Sequence, residues 1–282
     1  MSDRKLRIAH LYPRLMNIYG DRGNILCLTR RCRDREIEVE VYELGVGDTL
    51  ASGEHDLIFM GGAQDRDQRR VVDDLRTTKG QALLDAAEAD TVILAVCGAY
   101  QLFGKHYVAA SGEQLEGLGL FDLRTEHPGP ADDRLIGNVV AELIMDGHPS
   151  TGSGRNKPAV EAEPGSSRRE SPAIPSLSRD GGRSITLVGF ENHGGRTYLG
   201  PDAQPLAKVR SGHGNNGRDG TEGVRYRNAF GTYLHGSLLP KNPAFADMLI
   251  ALALGETELA PLDDALENAA HQAALKLTGR RR

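Results

Sequence analysis

The chain has 282 residues, 39% of them hydrophobic, and a formal net charge of -5 at pH 7. This length suits one large α/β domain or two small ones, and the mild negative charge argues against nucleic acid as the main partner. No apolar run is long enough to span a membrane, and the polar start predicts no signal peptide. Three cysteines without metal-ligand spacing fit a reducing compartment, so we expect the cytoplasm.

Strands and helices alternate in the first part of the sequence. Apolar or alternating segments predict strands over 6–11, 37–44 and 55–60, and amphipathic segments predict helices over 24–35 and 65–89. Asn24 is the expected N-cap of the first helix. Cys27 and Cys32 fall inside that helix and are expected to be structural. No G-x-G-x-x-G fingerprint follows the first strand, so no dinucleotide site is predicted.

Two glycines, Gly61 and Gly62, follow the third predicted strand. In open α/β sheets ligands bind at the carboxyl ends of the strands, and a glycine there lets a backbone N–H approach a ligand closely. A tight turn explains the pair equally well when it is considered alone. The cysteine that follows the next strand favours an oxyanion role for Gly62.

The most informative segment is the β-favouring run 91–96, which leads into Cys97, Gly98 and a short amphipathic segment. This order predicts a buried strand, a sharp turn and a helix. A thiol at such a turn lies at a helix N-terminus, where the dipole and free N–H groups stabilise negative charge. The Gly98 N–H is placed to face an oxyanion. A buried structural cysteine is the alternative.

The second part of the sequence is mostly β. Short strands are predicted over 135–143, 185–190, 206–209 and 223–227, and helices over 243–254 and 261–277. Asn242 is the expected cap of the first of these helices, with proline at its first position. Residues 145–183 are rich in Gly, Pro, Ser and charge, which predicts a flexible insertion between two strands. We expect one domain over 1–260, and a C-terminal helix and basic tail over 261–282.

Two histidines are candidates for a general base. His235 ends an apolar strand and precedes the capped helix, so it is expected to pair with the thiol. His193 lies between Asn192 and Gly194 and is expected to shape a substrate loop. A hydrogen-bonded structural role is the alternative for both histidines.

The Gly62 turn, segment 97–101 and segment 233–236 resemble class I glutamine amidotransferases of the cobyric acid synthase branch. The resemblance covers most of the chain outside 145–183 and the C-terminal end. Segment 17–24 and the lack of a synthetase domain make the chain similar to the glutaminase subunits of lipid II isoglutaminyl synthase. The resemblance implies a flavodoxin-like α/β fold with a central, mostly parallel sheet, helices on both faces and extra strands in the C-terminal half.

The resemblance also implies a reaction. Glutamine is hydrolysed to glutamate and ammonia through a thioester on Cys97, with His235 as the base. The N–H groups of Gly62 and Gly98 are then the oxyanion donors. Many class I enzymes carry Glu two residues after the histidine, to orient it, but Ser237 occupies that position here, and the cobyric acid synthase branch shares this lack. Glu191 is one candidate to orient a histidine from another loop.

The glutamine pocket is implied in the same way. Its expected lining includes Gln101, Asn192 and Gly194. Family members hold glutamine with an arginine after the nucleophile. Arg134 is the preferred candidate for that role and Arg124 the second, and a solvated loop arginine is the alternative for Arg134.

The family further implies a partner. Ammonia passes to a Mur-ligase-like synthetase subunit of the MurT type in a heterodimer. That partner uses ATP and magnesium to amidate the α-carboxylate of D-glutamate in the lipid II stem peptide, so this chain itself needs no cofactor. Three alternatives remain: a cobyrinate-type amidotransferase subunit, a catalytically silent scaffold and a stand-alone cysteine hydrolase.

Overall fold

A computed structural model describes residues 4–129, 131–144, 184–235 and 237–278. The predicted insertion over 145–183 and the basic end at 279–282 lie outside the described residues. In the part of the chain that is described, no helix is long and apolar enough to cross a membrane.

The strands are, in chain order, β1 (Lys5–Leu11), β2 (Glu38–Leu44), β3 (Leu57–Met60), β4 (Val92–Val96), β5 (His106–Val108), β6 (Gln114–Glu116), β7 (Leu123–Glu126), β8 (Leu135–Leu143), β9 (Thr186–His193), β10 (Arg196–Leu199), β11 (Ala207–Ser211), β12 (Thr221–Glu222), β13 (Val224–Tyr226) and β14 (Ala229–Thr232). The helices are α1 (Arg22–Arg33), α2 (Asp65–Thr77), α3 (Gly80–Glu88), α4 (Gly98–Leu102), α5 (Pro243–Leu254) and α6 (Ala265–Thr278), with 3-10 turns at Ile18–Gly20 and Leu239–Lys241.

The central sheet has six strands in the order β13-β14-β4-β3-β1-β2. Neighbouring strands are parallel except for the antiparallel pair β13–β14 at one edge. Strands β3 and β4 are buried along their whole length, as expected for apolar runs covered on both faces. Strand β2, at the other edge, departs from the prediction of a half-exposed strand: none of its residues is buried, and Val41 and Tyr42 are exposed. The predicted fold class is confirmed.

Two smaller sheets supply the extra strands of the second half. One has the order β10-β7-β5-β6 and the other is antiparallel throughout, with the order β12-β11-β8-β9. The His235 N–H donates to the Phe190 carbonyl oxygen at 2.8 Å, which links the segment after β14 to strand β9. The carboxyl ends of the central strands are thereby brought against β9.

The helices depart from the sequence prediction at two places. Residues 65–89 form two helices rather than one, with the break at Lys79, whose buried ammonium donates to Asp74 at 2.5 Å. Helix α1 begins at Arg22, so Asn24 lies inside it and does not cap it. The Asn24 side chain instead accepts the Leu239 N–H at 2.9 Å, because the buried face of α1 packs against the 3-10 turn that precedes α5.

Asn242 precedes α5 as predicted, but its side chain does not cap the helix. Its amide instead pairs with the backbone N–H and carbonyl of Val188, at 2.9 and 2.8 Å. The predicted cap therefore joins α5 to strand β9. Beyond α5, helix α6 contacts β8 and β9, and the predicted boundary at residue 260 stays a prediction.

Candidate active site

Cys97 lies at the turn between strand β4 and helix α4, as the sequence predicts. Its N–H donates to the Thr232 carbonyl oxygen at 2.8 Å, and its own carbonyl accepts the Gln101 N–H at 2.9 Å. The backbone of Cys97 has a φ of 51° and a ψ of -101°, a strained conformation for a residue with a side chain. The sharp bend therefore falls on Cys97 itself rather than on Gly98. Cys97 is 7% exposed and lines a cleft.

His235 lies beside the cysteine, with Gly62 packed against both. A Cβ atom placed on Gly62 would lie 3.0 Å from His235 Cε1 and 3.1 Å from Cys97 Cβ. Burial lowers the pKa of His235, but its interactions with Cys97 and Asp21 outweigh this and raise that pKa to about 10. The imidazole is therefore protonated at neutral pH.

Asp21 is the nearby carboxylate, and the sequence analysis missed it. Its side chain is fully buried. One carboxylate oxygen, Oδ2, accepts the Gly62 N–H at 2.6 Å, and the other, Oδ1, lies 3.6 Å from His235 Nδ1. The signal available in the sequence was the polar segment 17–24, which carried the resemblance but no predicted site residue.

Ser237, at the position of the missing glutamate, and Glu191, the predicted candidate for orienting a histidine, both have other partners. Ser237 donates its hydroxyl to the Gly20 carbonyl oxygen at 2.8 Å. Glu191 accepts the backbone N–H groups of His213 and Gly214 at 2.7 and 2.9 Å. Its carboxylate lies 3.6 Å from His193 Nε2. Glu191 thus accompanies His193 and not the histidine beside the thiol.

The predicted oxyanion donors have different surroundings. The contact between the Gly62 N–H and Asp21 contradicts the oxyanion role of Gly62, because a buried carboxylate already occupies that donor. The next residue, Ala63, faces the nucleophile turn: a Cβ on Gly98 would lie 2.8 Å from the Ala63 nitrogen. The geometry therefore places the backbone of Ala63 next to that of Gly98.

A cleft of about 510 Å³ opens above Cys97. Its lining includes the predicted residues Gln101, Arg134, Asn192 and Gly194, and also Tyr19, Gln64, Arg66, Gln68, Tyr107, His127 and His193. An amino acid fits a volume of this size. The structure therefore brings together every predicted pocket residue. Of the further side chains, His193 was expected to shape a substrate loop, and the others were not selected from the sequence.

Arg134 is held at the cleft by Asn192. Its guanidinium donates to the Asn192 side-chain oxygen at 2.8 Å and to the Asn192 carbonyl at 2.9 Å. The Asn192 amide in turn donates to the Tyr19 hydroxyl at 2.7 Å. Arg124, the second candidate, instead donates to Glu126 at 2.8 Å and stacks over Tyr198. Of the two arginines, Arg134 is the one that lines the cleft.

Gln101 and His193 form part of the wall. The Gln101 amide accepts from Gln68 at 3.0 Å and donates to the Tyr233 hydroxyl at 3.2 Å, so its polar atoms are already paired. The His193 ring stacks on the Tyr233 ring with 3.6 Å between centroids. Burial lowers the pKa of His193, against the opposing effect of Glu191. Both side chains are fixed by packing and hydrogen bonds.

His127 was not selected from the sequence. Its Nδ1 accepts the Gly129 N–H at 3.1 Å, which leaves Nε2 as the donor of a neutral ring. A Cβ on Gly194 would lie 2.8 Å from that Nε2, so the ring edge faces the Gly194 backbone. Across the residues that the structure describes, no group of three or more His, Cys, Asp or Glu side chains could hold a metal ion.

Comparison with known proteins gives a consistent result. Residues 7–243 match the model of the CobB/CobQ-like glutamine amidotransferase domain. The chain is 36% identical over 249 residues to the Staphylococcus aureus lipid II isoglutaminyl synthase (glutamine-hydrolyzing) subunit GatD, covering 88% of this chain and 84% of that one. It is likewise 36% identical to the Streptococcus pneumoniae subunit GatD, covering 89% of this chain and 81% of that one.

More distant similarities extend the pattern. A probable cobyric acid synthase from Methanopyrus kandleri is 32% identical over 180 residues, which make up 60% of this chain but 29% of that protein. The glutaminase domain of Trypanosoma brucei CTPS with bound acivicin has a TM-score of 0.52 at 14% identity, over 91% of this chain and 96% of that one. This last similarity concerns the fold alone.

Proposed function

Because the chain belongs to the CobB/CobQ-like glutamine amidotransferase family, we propose that it hydrolyses L-glutamine to glutamate and ammonia at Cys97. The observation that carries this proposal is the packing of Gly62 against both Cys97 and His235, beneath a cleft of about 510 Å³. A thiol beside a protonated imidazole at a helix N-terminus is the arrangement that an activated cysteine nucleophile requires.

The reaction follows from these groups. The Cys97 sulfur, paired with the His235 imidazolium, attacks the side-chain amide carbon of glutamine. The C–N bond breaks as His235 gives its proton to the leaving nitrogen, and ammonia departs. Water then adds to the thioester and loses a proton to His235. Cleavage of the C–S bond releases glutamate and the sulfur.

The negative oxygen of each tetrahedral intermediate needs backbone donors. We assign this role to the N–H groups of Gly98 and Ala63, since their backbones adjoin and the Gly62 N–H is held by Asp21. One such donor contributes about 3 kcal/mol to transition-state stabilisation.

Arg134 is the proposed partner of the glutamine α-carboxylate. Its guanidinium lines the cleft and is oriented by Asn192, and a planar guanidinium suits a carboxylate. Gln101 and Gly194 shape the wall in this proposal, because the Gln101 amide is engaged by Gln68 and Tyr233.

For the ammonia we propose transfer to a Mur-ligase-like subunit of the MurT type, which binds ATP and magnesium and amidates D-glutamate in the lipid II stem peptide. The support is the 36% identity to two GatD subunits, extending over 84% and 81% of their lengths. A cobyrinate-type acceptor has less support, since the similarity covers 29% of the M. kandleri synthase. The Cys97–His235 geometry argues against a silent scaffold.

The test is glutamate release from glutamine by the purified chain, with and without the Mur-ligase-like subunit, and with Cys97→Ser as control. We expect release that Cys97→Ser abolishes and that the partner increases. If the folded protein releases no glutamate under either condition, the proposed function is wrong. Release that the partner leaves unchanged would retain the glutaminase and count against the lipid II assignment.

A further inference from the structure

We propose that Asp21 is the third member of the catalytic triad, a positioning residue that orients His235 from the segment before α1. This inference rests on the proposed glutaminase function. It identifies the carboxylate that replaces the glutamate usually found two residues after the histidine, where this chain has Ser237.

The Asp21 carboxylate is buried and only partly paired. The side chain is fully buried, and a buried carboxylate is retained only where partners offset its desolvation. Oδ2 is held by the Gly62 N–H at 2.6 Å, whereas Oδ1 has no hydrogen bond among the described residues. That free oxygen lies 3.6 Å from His235 Nδ1, which likewise lacks a hydrogen bond there.

These two unpaired atoms therefore face each other. A shift of about half an ångström brings them to hydrogen-bonding distance, and catalytic hydrogen bonds often shorten only when substrate binds. An aspartate bonded to Nδ1 of a catalytic histidine fixes the tautomer and stabilises the imidazolium. Asp21 is placed to do both.

The segment that carries Asp21 is closely packed. A Cβ on Gly61 would lie 2.9 Å from Asp21 Cβ, and a Cβ on Gly23 would lie 2.1 Å from Ser237 Oγ. The segment thus packs against the end of β3 and against Ser237. The Ser237 hydroxyl, bonded to Gly20, fastens the segment that delivers the carboxylate.

The charged and titratable groups near His235 are few among the residues described. Cys97 and Asp21 favour its protonated form. Buried Glu222, in strand β12, interacts electrostatically with His235. Its carboxylate accepts hydrogen bonds from the Thr232 hydroxyl and the Tyr233 N–H, not from His235. The Tyr19 ring packs edge-on at 5.0 Å. Asp21 is therefore the carboxylate in position to orient the ring.

The test uses Asp21→Asn, which keeps the shape and removes the charge. Asp48→Asn is the matched control, because exposed Asp48 also accepts a backbone N–H, from Gly45 at 2.8 Å, away from the cleft. We expect Asp21→Asn to lower kcat for glutamine by about 100-fold, within the range of general acid–base effects, with KM nearly unchanged. The alkaline limb of the kcat/KM profile should move to lower pH.

A second readout does not need catalysis. The His235 imidazole is titrated by NMR in the Cys97→Ser protein, with and without Asp21→Asn, and the titration should move to lower pH when the aspartate is removed. If Asp21→Asn does not fold, the smaller Asp21→Ser takes its place. An unmoved titration overturns the proposal, even where kcat falls. A wild-type chain that releases no glutamate refutes the proposed function, and the titration still decides the role of Asp21.

Discussion

At the scale of single residues, Gly62 determines how closely the thiol and the imidazole approach each other. A methyl group there would meet His235 Cε1 at 3.0 Å, Cys97 Cβ at 3.1 Å and Ile18 Cγ2 at 2.9 Å. We predict that Gly62→Ala moves these groups by a few tenths of an ångström and lowers kcat by about 100-fold, since small displacements of reacting groups are costly. Glutamate release by the variant measures this.

Gly137→Ala is the matched control for that substitution. Gly137 lies in strand β8, and a Cβ on it would meet nothing within 4 Å. Its activity should equal that of the wild type. Full activity in Gly62→Ala would show that the pair tolerates a wider separation than the packing indicates.

Glu222 gives a prediction about pH and stability. Burial raises its pKa to about 7, although Thr232 and the Tyr233 N–H oppose the shift, from an ordinary value of 4.5. A carboxyl with a raised folded-state pKa contributes stability below pH 4.5 that is lost as the pH rises to 7. Glu222→Gln does not titrate, so its free energy of unfolding relative to wild type should rise by about 2 to 3 kcal/mol between pH 5 and 8.

Urea unfolding at the two pH values measures that difference. Glu54→Gln is the control, because Glu54 is exposed and its substitution should give the same difference at both pH values. A pH-independent difference for Glu222→Gln would mean that the buried carboxyl does not change its protonation over this range.

The two central site residues were predictable from the sequence because each stands in an informative local context. Cys97 follows a buried apolar run and precedes a glycine, and His235 follows another such run. Asp21 was not predictable in this way. It meets His235 only because the segment before α1 lies against the turn after β3, and no local pattern encodes that contact.

At the scale of elements, Arg31 joins helix α1 to helix α5 and to the residues that precede α6. This side chain is 4% exposed and pairs with Asp247 at 2.7 Å and with Asp264 at 2.6 Å. We predict that Arg31→Ala lowers the free energy of unfolding by about 3 kcal/mol, because it leaves the partly buried Asp264 carboxylate without its cation, while Asp247 keeps Arg35 at 2.7 Å. Chemical denaturation gives the value.

The adjacent Arg30 is the control. It is 77% exposed and pairs at 2.7 Å with Asp34, the residue directly after the same helix, so Arg30→Ala should change stability by less than about 1 kcal/mol. Equal effects of the two substitutions would contradict a structural role for the contact of α1 with α5 and with the residues that precede α6.

The break between helices α2 and α3 was not predictable from the sequence pattern. Residues 65–89 have continuous helical periodicity, yet the helix breaks at Lys79. There the ammonium binds Asp74 and lies over the Tyr12 ring at 4.8 Å. Tyr12 comes from the end of β1, so the break depends on a tertiary contact that periodicity does not record.

At the scale of the whole molecule, the parallel sheet is what assembles the site. Strands β3, β4 and β14 are parallel neighbours, so their carboxyl ends lie on the same side of the sheet. Gly62, Cys97 and His235 follow these strands and therefore meet there. The alternation of strands and helices predicted this convergence. The contribution of β9, which supplies Asn192, required the antiparallel sheet of the second half and was expected only from the resemblance.

The pairing of β8 and β9 in that antiparallel sheet indicates how long their connection needs to be. Strands β8 and β9 are paired up to Glu142 and Thr186, and the Leu143 N–H donates to the Ile185 carbonyl at 2.8 Å. The two strand ends are therefore already adjacent, and a hairpin turn of a few residues is long enough to join them. Residues 145–183 are not needed to connect the strands.

We predict that replacing residues 145–183 with a four-residue Gly-Asn-containing turn preserves the fold and the glutaminase activity. A tenfold shorter connection lowers the entropic cost of closing the loop on folding. The free energy of unfolding should therefore be equal or higher by up to about 2 kcal/mol. Denaturation and glutamate release without partner measure the two quantities. An unfolded or inactive replacement would mean that this segment supports the domain itself. Loss of stimulation by the proposed partner alone would instead assign the segment to the contact with that partner, since Cys97, His235 and Asp21 lie outside it.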